Sequence, residues 1–155
     1  MTTKEKLLAL LEDSKGTFFS GEEIARTLQV SRAAVWKAVN ALREDGYTID
    51  AATNKGYRLS PDSDILSPQG IRRFLKPEYR DLDLTVLPTA PSTNALVREK
   101  ANQGRPEGCV IVACEQTDGR GRYGRQFFSP VDSGVYLSLL LRPTAYSPQQ
   151  ATCLT

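Results

Sequence analysis

Leucines 7, 8, 10 and 11 recur at helical spacing near the start of the chain, and Gly16 is placed to end the helix they predict. Ser20-Gly21-Glu22-Glu23 then has the S-x-x-E form of a capping box, opening a second helix with Ile24, Ala25 and Leu28 on its inner face. After a short Gln29-Val30 turn, Ser31 can cap a third helix whose Val35, Val39 and Leu42 point inward before Gly46 stops it. The next stretch, YTIDAATNKGYRLS, predicts two short strands around an Asn54-Lys55-Gly56 turn. Two helices joined by a tight turn and followed by a hairpin predict a winged helix-turn-helix over residues 1–60.

Residues 61–67, polar and punctuated by proline, predict a linker. Ser67-Pro68 starts another short helix with Ile71, Phe74 and Leu75 inward, ended by Lys76-Pro77. A strand is expected near Leu84–Leu87, a helix from about Thr93 to Gln103, and strands at Cys109–Cys114 and Val135–Leu141. CVIVAC lacks period-2 alternation, so it is expected to be buried on both faces. These elements predict an α/β domain over residues 68–155, making the whole a multi-domain α+β chain. Ser147-Pro148-Gln149-Gln150 has the form of a helix start close to the last residue. The expectation is that the chain stops inside an element and that this second domain is incomplete.

The chain has no histidine, which excludes Ser-His-Asp and Cys-His nucleophilic sites, HExxH zinc helices and Cys2His2 fingers. Its 20 basic and 18 acidic side chains leave a net charge of +2. The longest apolar run, around Val135–Leu141, is far below the roughly 20 residues of a membrane span, and the first helix has too short an apolar core for a signal peptide. Cys109, Cys114 and Cys153 are odd in number and form no CxxC pair, so reduced core thiols, a cytoplasmic location and no membrane partner are expected.

Three segments carry candidate chemistry. On the third predicted helix, Arg32, Ala33, Trp36, Lys37, Asn40 and Arg43 face outward, Ser31 stands at its start, and Lys55 lies at the tip of the wing. Small, amide and basic side chains on one exposed face suit the major groove: Arg can fork to guanine, Asn to adenine, and Lys can neutralise phosphate. The bland alternative is a solvated helix of a protein-interaction module, with Trp36 packed against the wing or linker. The second segment, EQTDGRGRYGRQFFSP, sets Gly119, Gly121 and Gly124 among Arg120, Arg122 and Arg125, with no acid from Gly119 to Val131. Glycines let backbone amides approach a phosphate, and arginines supply forked donors and fixed charge. The string matches G-x-G-x-x-G, yet no helix follows as a dinucleotide fingerprint requires. No V-A-I-K lysine follows as in kinases, and no Gly-Lys-Ser/Thr occurs as in P-loops, while an RGG-like nucleic-acid loop is the compositional alternative. The third segment, PTAPSTNALV, puts Ser92, Thr93 and Asn94 at a strand-to-helix junction, a position that more often caps a helix than binds a ligand.

In order and spacing, STN, then EQTDGRGRYGR, then FFSP and VYLSLLLRP resemble the catalytic domain of biotin protein ligases. The helix-turn-helix segment SGEEIARTLQVSRAAVWKAVNALREDGY, ending in KGYRL, resembles the biotin operon repressor form of those enzymes. The resemblance implies a biotin/lipoate ligase-like fold and a two-step reaction. Biotin carboxylate attacks the α-phosphate of ATP to give biotinyl-5'-adenylate, and the biotinyl group then passes to a lysine of a biotin carboxyl carrier domain. It implies that Ser92, Thr93, Asn94 and Gln116 hold the biotin head group, and that Arg120, Gly121 and Arg122 close over biotin and adenylate, with Arg120 and Arg122 as catalytic residues. Gly119, Gly124, Arg125 and Phe127 complete the adenylate loop by the same resemblance. Mg2+ is expected with ATP, with no assignable protein ligand. Operator DNA and a homodimer formed on corepressor binding are the other implied partners. The family's K-W-P-N-D segment and small C-terminal β-domain have no counterpart in these residues, and Phe127 stands where some relatives carry an adenine-stacking tryptophan. Asp118 has no role in this reading. A fragment without that lysine segment is expected not to complete adenylation alone. The alternative from another class is a non-enzymatic winged-helix transcription factor that senses a small ligand.

Overall fold

The computed structural model describes residues 1–121, 123, 125–131, 133–143 and 150. It divides into two compact units, Met1–Glu78 and Tyr79–Thr155.

The first unit begins with α1 (Thr3–Asp13), α2 (Gly21–Leu28) and α3 (Arg32–Glu44). A reciprocal capping box closes the start of α1: the Thr2 amide donates to Glu5 Oε2 at 2.7 Å and the Glu5 amide to Thr2 Oγ1 at 3.3 Å. At the second and third helices, Ser20 Oγ accepts from the Glu23 amide and Ser31 Oγ from the Ala34 amide. Gln29 takes the left-handed conformation (φ 56°) that turns the chain between α2 and α3, an uncommon choice for a side-chain-bearing residue. Leu7, Leu11, Ile24, Val35, Val39, Leu42 and Leu59 are almost wholly buried in one core, with Leu10, Ala25 and Leu28 at its margin.

Strands β1 (Ile49–Ala52) and β2 (Gly56–Leu59) form the predicted hairpin, pairing Ile49 with Leu59 and Ala52 with Gly56. A third backbone joins them: Phe19 exchanges both hydrogen bonds with Tyr57 at 2.9 Å, so the α1–α2 connection acts as an edge of the wing. The pattern around Phe19 shows no strand, because one bridging residue leaves no periodicity to read.

The first unit runs past the expected boundary. Helix α4 (Pro68–Phe74) packs on α1, and residues 61–78 belong to the first compact unit instead of forming a free linker and the start of the next domain. Glu12 explains the attachment. It is buried on the inner side of α1, its carboxylate accepts from Ser67 Oγ at 3.4 Å, and its carbonyl accepts from Arg73 at 2.7 Å. Ser67 also caps α4, accepting from the Gly70 amide at 2.9 Å. Docking through the N-terminal end of this short helix leaves Phe74, expected to point inward, 82% exposed with the Arg73 guanidinium 5.5 Å from its ring. Ile71 and Leu75 are half-buried. A 3-10 turn, Pro77–Tyr79, follows.

Tyr47 closes this polar cluster. Burial raises its phenol pKa above the ordinary tyrosine value, the Glu12 and Asp45 charges add to the rise, and a hydrogen bond with Ser67 opposes it. A group whose pKa is higher in the folded state contributes stability below its unfolded pKa and loses it as pH rises through the folded value. The first unit is therefore expected to lose stability above about pH 10. Tyr47→Phe should flatten that alkaline limb in urea titrations followed by Trp36 fluorescence; an unchanged pH profile would contradict the assignment.

In the second unit β3 (Asp83–Ala90), α5 (Thr93–Asn102), β4 (Cys109–Gln116) and β5 (Tyr136–Leu139) form a β-α-β unit plus one antiparallel strand, in the sheet order β3-β4-β5. Central β4 is buried from Cys109 to Ala113, in agreement with its unbroken apolar run. One sheet face is covered by α5, whose Val97, Leu96 and Ala101 pack with Cys109, Ile111, Leu140 and Leu87. Strand β3 continues beyond Leu87 through Pro88, pairing Thr89 with Glu115 and Ala90 with Gln116. The proline is tolerated because β3 is an edge strand among the described residues. Burial pushes the Cys109 thiol up, Cys114 is half-buried, and neither is in a disulfide. Cys153 and the helix start at Ser147 lie outside the described residues. Among the described residues no helix is long and apolar enough to cross a membrane.

Candidate functional site

In the first unit the candidate DNA face is built by α3 and the wing. The tight turn and the Ser31 cap set the start of α3 at the surface. Ser31, Arg32, Ala33 and Lys37 are exposed, Trp36 is 58% exposed and Asn40 is half-buried. Arg32, Ala33 and Trp36 line one side of a cleft of about 720 Å3, and Ala51, Ala52, Thr53, Asn54 and Tyr57 line the other, with Ser20 and Gly21 at the N-terminus of α2. Trp36 thus faces the wing across open space. Lys55 is exposed at the wing tip, beside Asn54 in a left-handed turn (φ 65°).

Arg43 departs from the expected set. Its Nε and a terminal nitrogen donate to the Ile49 carbonyl at 3.1 and 2.7 Å, so the guanidinium braces the start of the wing. Its helical position faces outward, as the spacing predicts, but the acceptor, a backbone carbonyl six residues ahead, has no signature in side-chain pattern. Thr53, Asn54 and Tyr57 were missed, because the turn residues read only as turn formers until the fold set them opposite α3.

In the second unit, the N-terminus of α5 and the C-terminal ends of the parallel strands β3 and β4 come to one place, where open α/β sheets bind ligands. There Gln116 Oε1 accepts from the Thr93 amide at 2.8 Å and from Thr93 Oγ1 at 3.2 Å. The Thr93 hydroxyl also meets Ser138 Oγ at 3.0 Å, and Gln116 Nε2 donates to Ser129 Oγ at 3.3 Å. Ser92 and Thr93 are buried, whereas Asn94 is exposed. Ser92 Oγ accepts from the Ala95 amide at 3.4 Å, so it caps α5. The structure therefore brings Thr93 and Gln116 together and adds Ser138 and Ser129, which the sequence reading missed. Ser138 had a signal: it is the polar interruption in VYLSLLL, placed on the inward face of β5.

Beyond Gln116 the chain folds back on itself. Gln116 bridges Ser129 and Arg120 bridges Gln126, with the Phe127 amide donating to the Gly119 carbonyl and the Gly121 amide to the Arg125 carbonyl, both at 2.8 Å. Gly119 is buried where these two backbones meet. An added Cβ would overlap the Phe127 carbonyl oxygen and stand 2.7 Å from Ser129 Oγ. Asp118, left without a role by the sequence, accepts from the Arg120 guanidinium at 2.8 and 3.3 Å, and this contact further stabilises the charged form of Arg120. In this arrangement Arg120 is directed to Asp118. Arg125 and Phe127 are exposed, as are Tyr123 and Phe128, so the hairpin carries apolar surface beside its cations. Arg122 and Gly124 lie outside the described residues. Chemically, the cluster offers hydroxyl and amide groups for a polar head group, next to a loop with fixed positive charge suited to a phosphate.

Comparison with known proteins follows the same division. Residues 3–58 match the HTH domain family, and residues 86–155 match the biotin/lipoate A/B protein ligase family. The chain is similar to the bifunctional ligase/repressor BirA of Bacillus subtilis (strain 168), at 40% identity over 142 residues, 92% of this chain and 44% of that protein. It is 36% identical to the protein of the same name from Escherichia coli (strain K12) over 141 residues, 91% of this chain and 42% of the relative. The one from Salmonella typhimurium is 36% identical over 136 residues, 88% and 40% of the two chains. The chain thus spans less than half the length of these relatives. It joins an N-terminal HTH domain to a domain like those of the biotin/lipoate A/B protein ligase family.

Proposed function

We propose that this chain supplies the DNA-binding unit and the head-group-binding part of a bifunctional biotin protein ligase and transcriptional repressor. One observation carries the reading: the Thr93–Gln116–Ser138–Ser129 cluster sits at the C-terminal ends of parallel strands, and the glycine- and arginine-rich hairpin springs from the residue after Gln116. In the first step a biotin carboxylate oxygen attacks the α-phosphate of ATP and pyrophosphate leaves. In the second, a carrier lysine amine attacks the biotinyl carbonyl and AMP leaves. Neither step needs an enzyme nucleophile, so a chain without histidine can serve; positioning and charge stabilisation do the work.

Within this proposal Thr93 and Gln116 hold the biotin head group, with Ser92 and Asn94 flanking it. Arg120 and Arg122 stabilise charge developing on phosphate, and Gly119, Gly121, Gly124, Arg125 and Phe127 shape the adenylate loop. Mg2+ accompanies ATP with no ligand assigned from the chain. In the first unit Ser31, Arg32, Ala33, Trp36, Lys37 and Asn40 face operator DNA, Lys55 reaches phosphate from the wing, and Arg43 acts through the wing it braces. Binding of the adenylate as corepressor, homodimerisation and cytoplasmic location complete the proposal.

The test uses the longer protein with biotin, ATP and a biotin carboxyl carrier domain. A mass gain of one biotinyl group on a carrier lysine, dependent on ATP, is expected. Its absence, with ligand sensing intact, would favour a non-enzymatic transcription factor. For the DNA face, Lys37→Ala should flatten the salt dependence of duplex binding by about one unit, as expected for one lost phosphate contact. An unchanged slope would remove Lys37 from the interface.

A further inference from the structure

Phe18 is an aromatic side chain that the core of the first unit does not use. Its neighbour Phe19 packs against the hydrophobic cluster and pairs its backbone with Tyr57, while Phe18 is only half-buried and points to the wing. Two cations meet its ring: the Arg58 guanidinium carbon lies 4.7 Å and Lys55 Nζ 5.9 Å from the centroid. The two are not equivalent. Arg58 is paired across the hairpin with Asp50 at 2.8 Å, so its charge is largely matched. Lys55 is exposed and forms no ion pair among the described residues.

We propose that Phe18 is a positioning residue for DNA binding: its ring is a shelf that holds the Lys55 ammonium at the wing tip, ready for a backbone phosphate. A ring face attracts a cation without neutralising it, whereas a carboxylate there would cancel the charge that phosphate must meet. A free lysine side chain loses much rotamer freedom when a contact immobilises it, so restraint before binding lowers the cost of the contact. Arg58, locked between Asp50 and the ring, keeps the shelf and the hairpin in register. The proposal rests on the reading of the first unit as a DNA-binding module.

The experiment uses the whole chain. Trp36 is its single tryptophan and lines the cleft between α3 and the wing, so its fluorescence reports DNA at that face. A mixed-sequence duplex of about 30 base pairs is titrated across a salt series, where the slope counts phosphate contacts. Wild type should show a change in Trp36 emission and affinity that falls with salt. Phe18→Leu should bind several-fold more weakly with a slope lower by about one unit, as should Lys55→Ala. Phe18→Tyr should restore both, because the ring face is retained. The double variant Phe18→Leu/Lys55→Ala should lose little more than Lys55→Ala alone. In the unbound wild type, the ring current of Phe18 should move the Lys55 side-chain methylene resonances upfield, a readout that needs neither DNA nor a variant. A wild-type slope in Phe18→Leu, failure of Phe18→Tyr to restore binding, additive losses, or unshifted Lys55 resonances would overturn the proposal. Unchanged Trp36 emission and no binding in wild type would instead overturn the DNA-binding reading itself, while the ring-current test of the shelf would stand.

Discussion

Gly56→Ala is expected to destabilise the first unit by about 3 kcal/mol and to abolish DNA binding through the wing. Two costs combine. Gly56 has φ +96°, a conformation that strains any residue with a Cβ by about 1 kcal/mol or more. The added Cβ would also overlap the Phe19 carbonyl oxygen and lie 2.6 Å from Ser20 Cα, both backbone atoms that cannot rotate away. Relief requires separating Phe19 from Tyr57, which forfeits two hydrogen bonds of about 1 kcal/mol each. Gly46→Ala separates the two costs within the same unit. Gly46 has φ +94°, but its added Cβ would meet only the Ile65 side chain at an ordinary 3.6 Å, so about 1 kcal/mol is expected. Urea unfolding followed by Trp36 emission compares them. Equal losses in the two variants would show that the close approach of Phe19 to the wing contributes nothing.

Gly119→Ala is expected to lower kcat/KM for the proposed biotinylation by about a hundredfold, the size of effect that an ångström-scale misplacement produces. Gly119 needs no positive φ; its constraint is proximity. The Phe127 carbonyl and Ser129 hydroxyl occupy the space a Cβ would take. Spreading the hairpin there moves Ser129 away from Gln116, and through Gln116 disturbs Thr93. Two readouts keep the prediction independent of the proposed activity. Amide exchange at Phe127 and Gln116, which donate to Gly119 and Ser129 in the wild type, should become faster. The Tyr47-dependent alkaline limb, which belongs to the first compact unit, should stay unchanged, since Gly119 is in the other unit. Wild-type exchange and wild-type turnover together would show that the hairpin tolerates the methyl group.

The helices, the hairpin and the central strand were legible because each is specified by neighbours along the chain. Leucine spacing, the serines at positions 20, 31, 67 and 92, and Gly46 all act within a turn or two of their own position. The apolar run of β4 likewise carried its burial openly. Candidate chemistry was legible to the same depth: Thr93 and Gln116 stand out as residue types, and their partnership across 23 positions followed only from a resemblance. What folding alone decided are the contacts between residues distant in sequence. Glu12 is buried because Ser67, 55 residues later, returns to meet it, and this moves α4 into the first unit. Arg43 reads as a DNA ligand until a backbone carbonyl takes it, and only the fold turns Phe19 to the core and sets Phe18 against Arg58 and Lys55 of the wing. Local pattern specifies which face of an element is apolar. It does not specify which backbone or ring will stand opposite a polar side chain, because that depends on three-dimensional return paths whose hydrogen bonds and close approaches leave no periodicity in the chain.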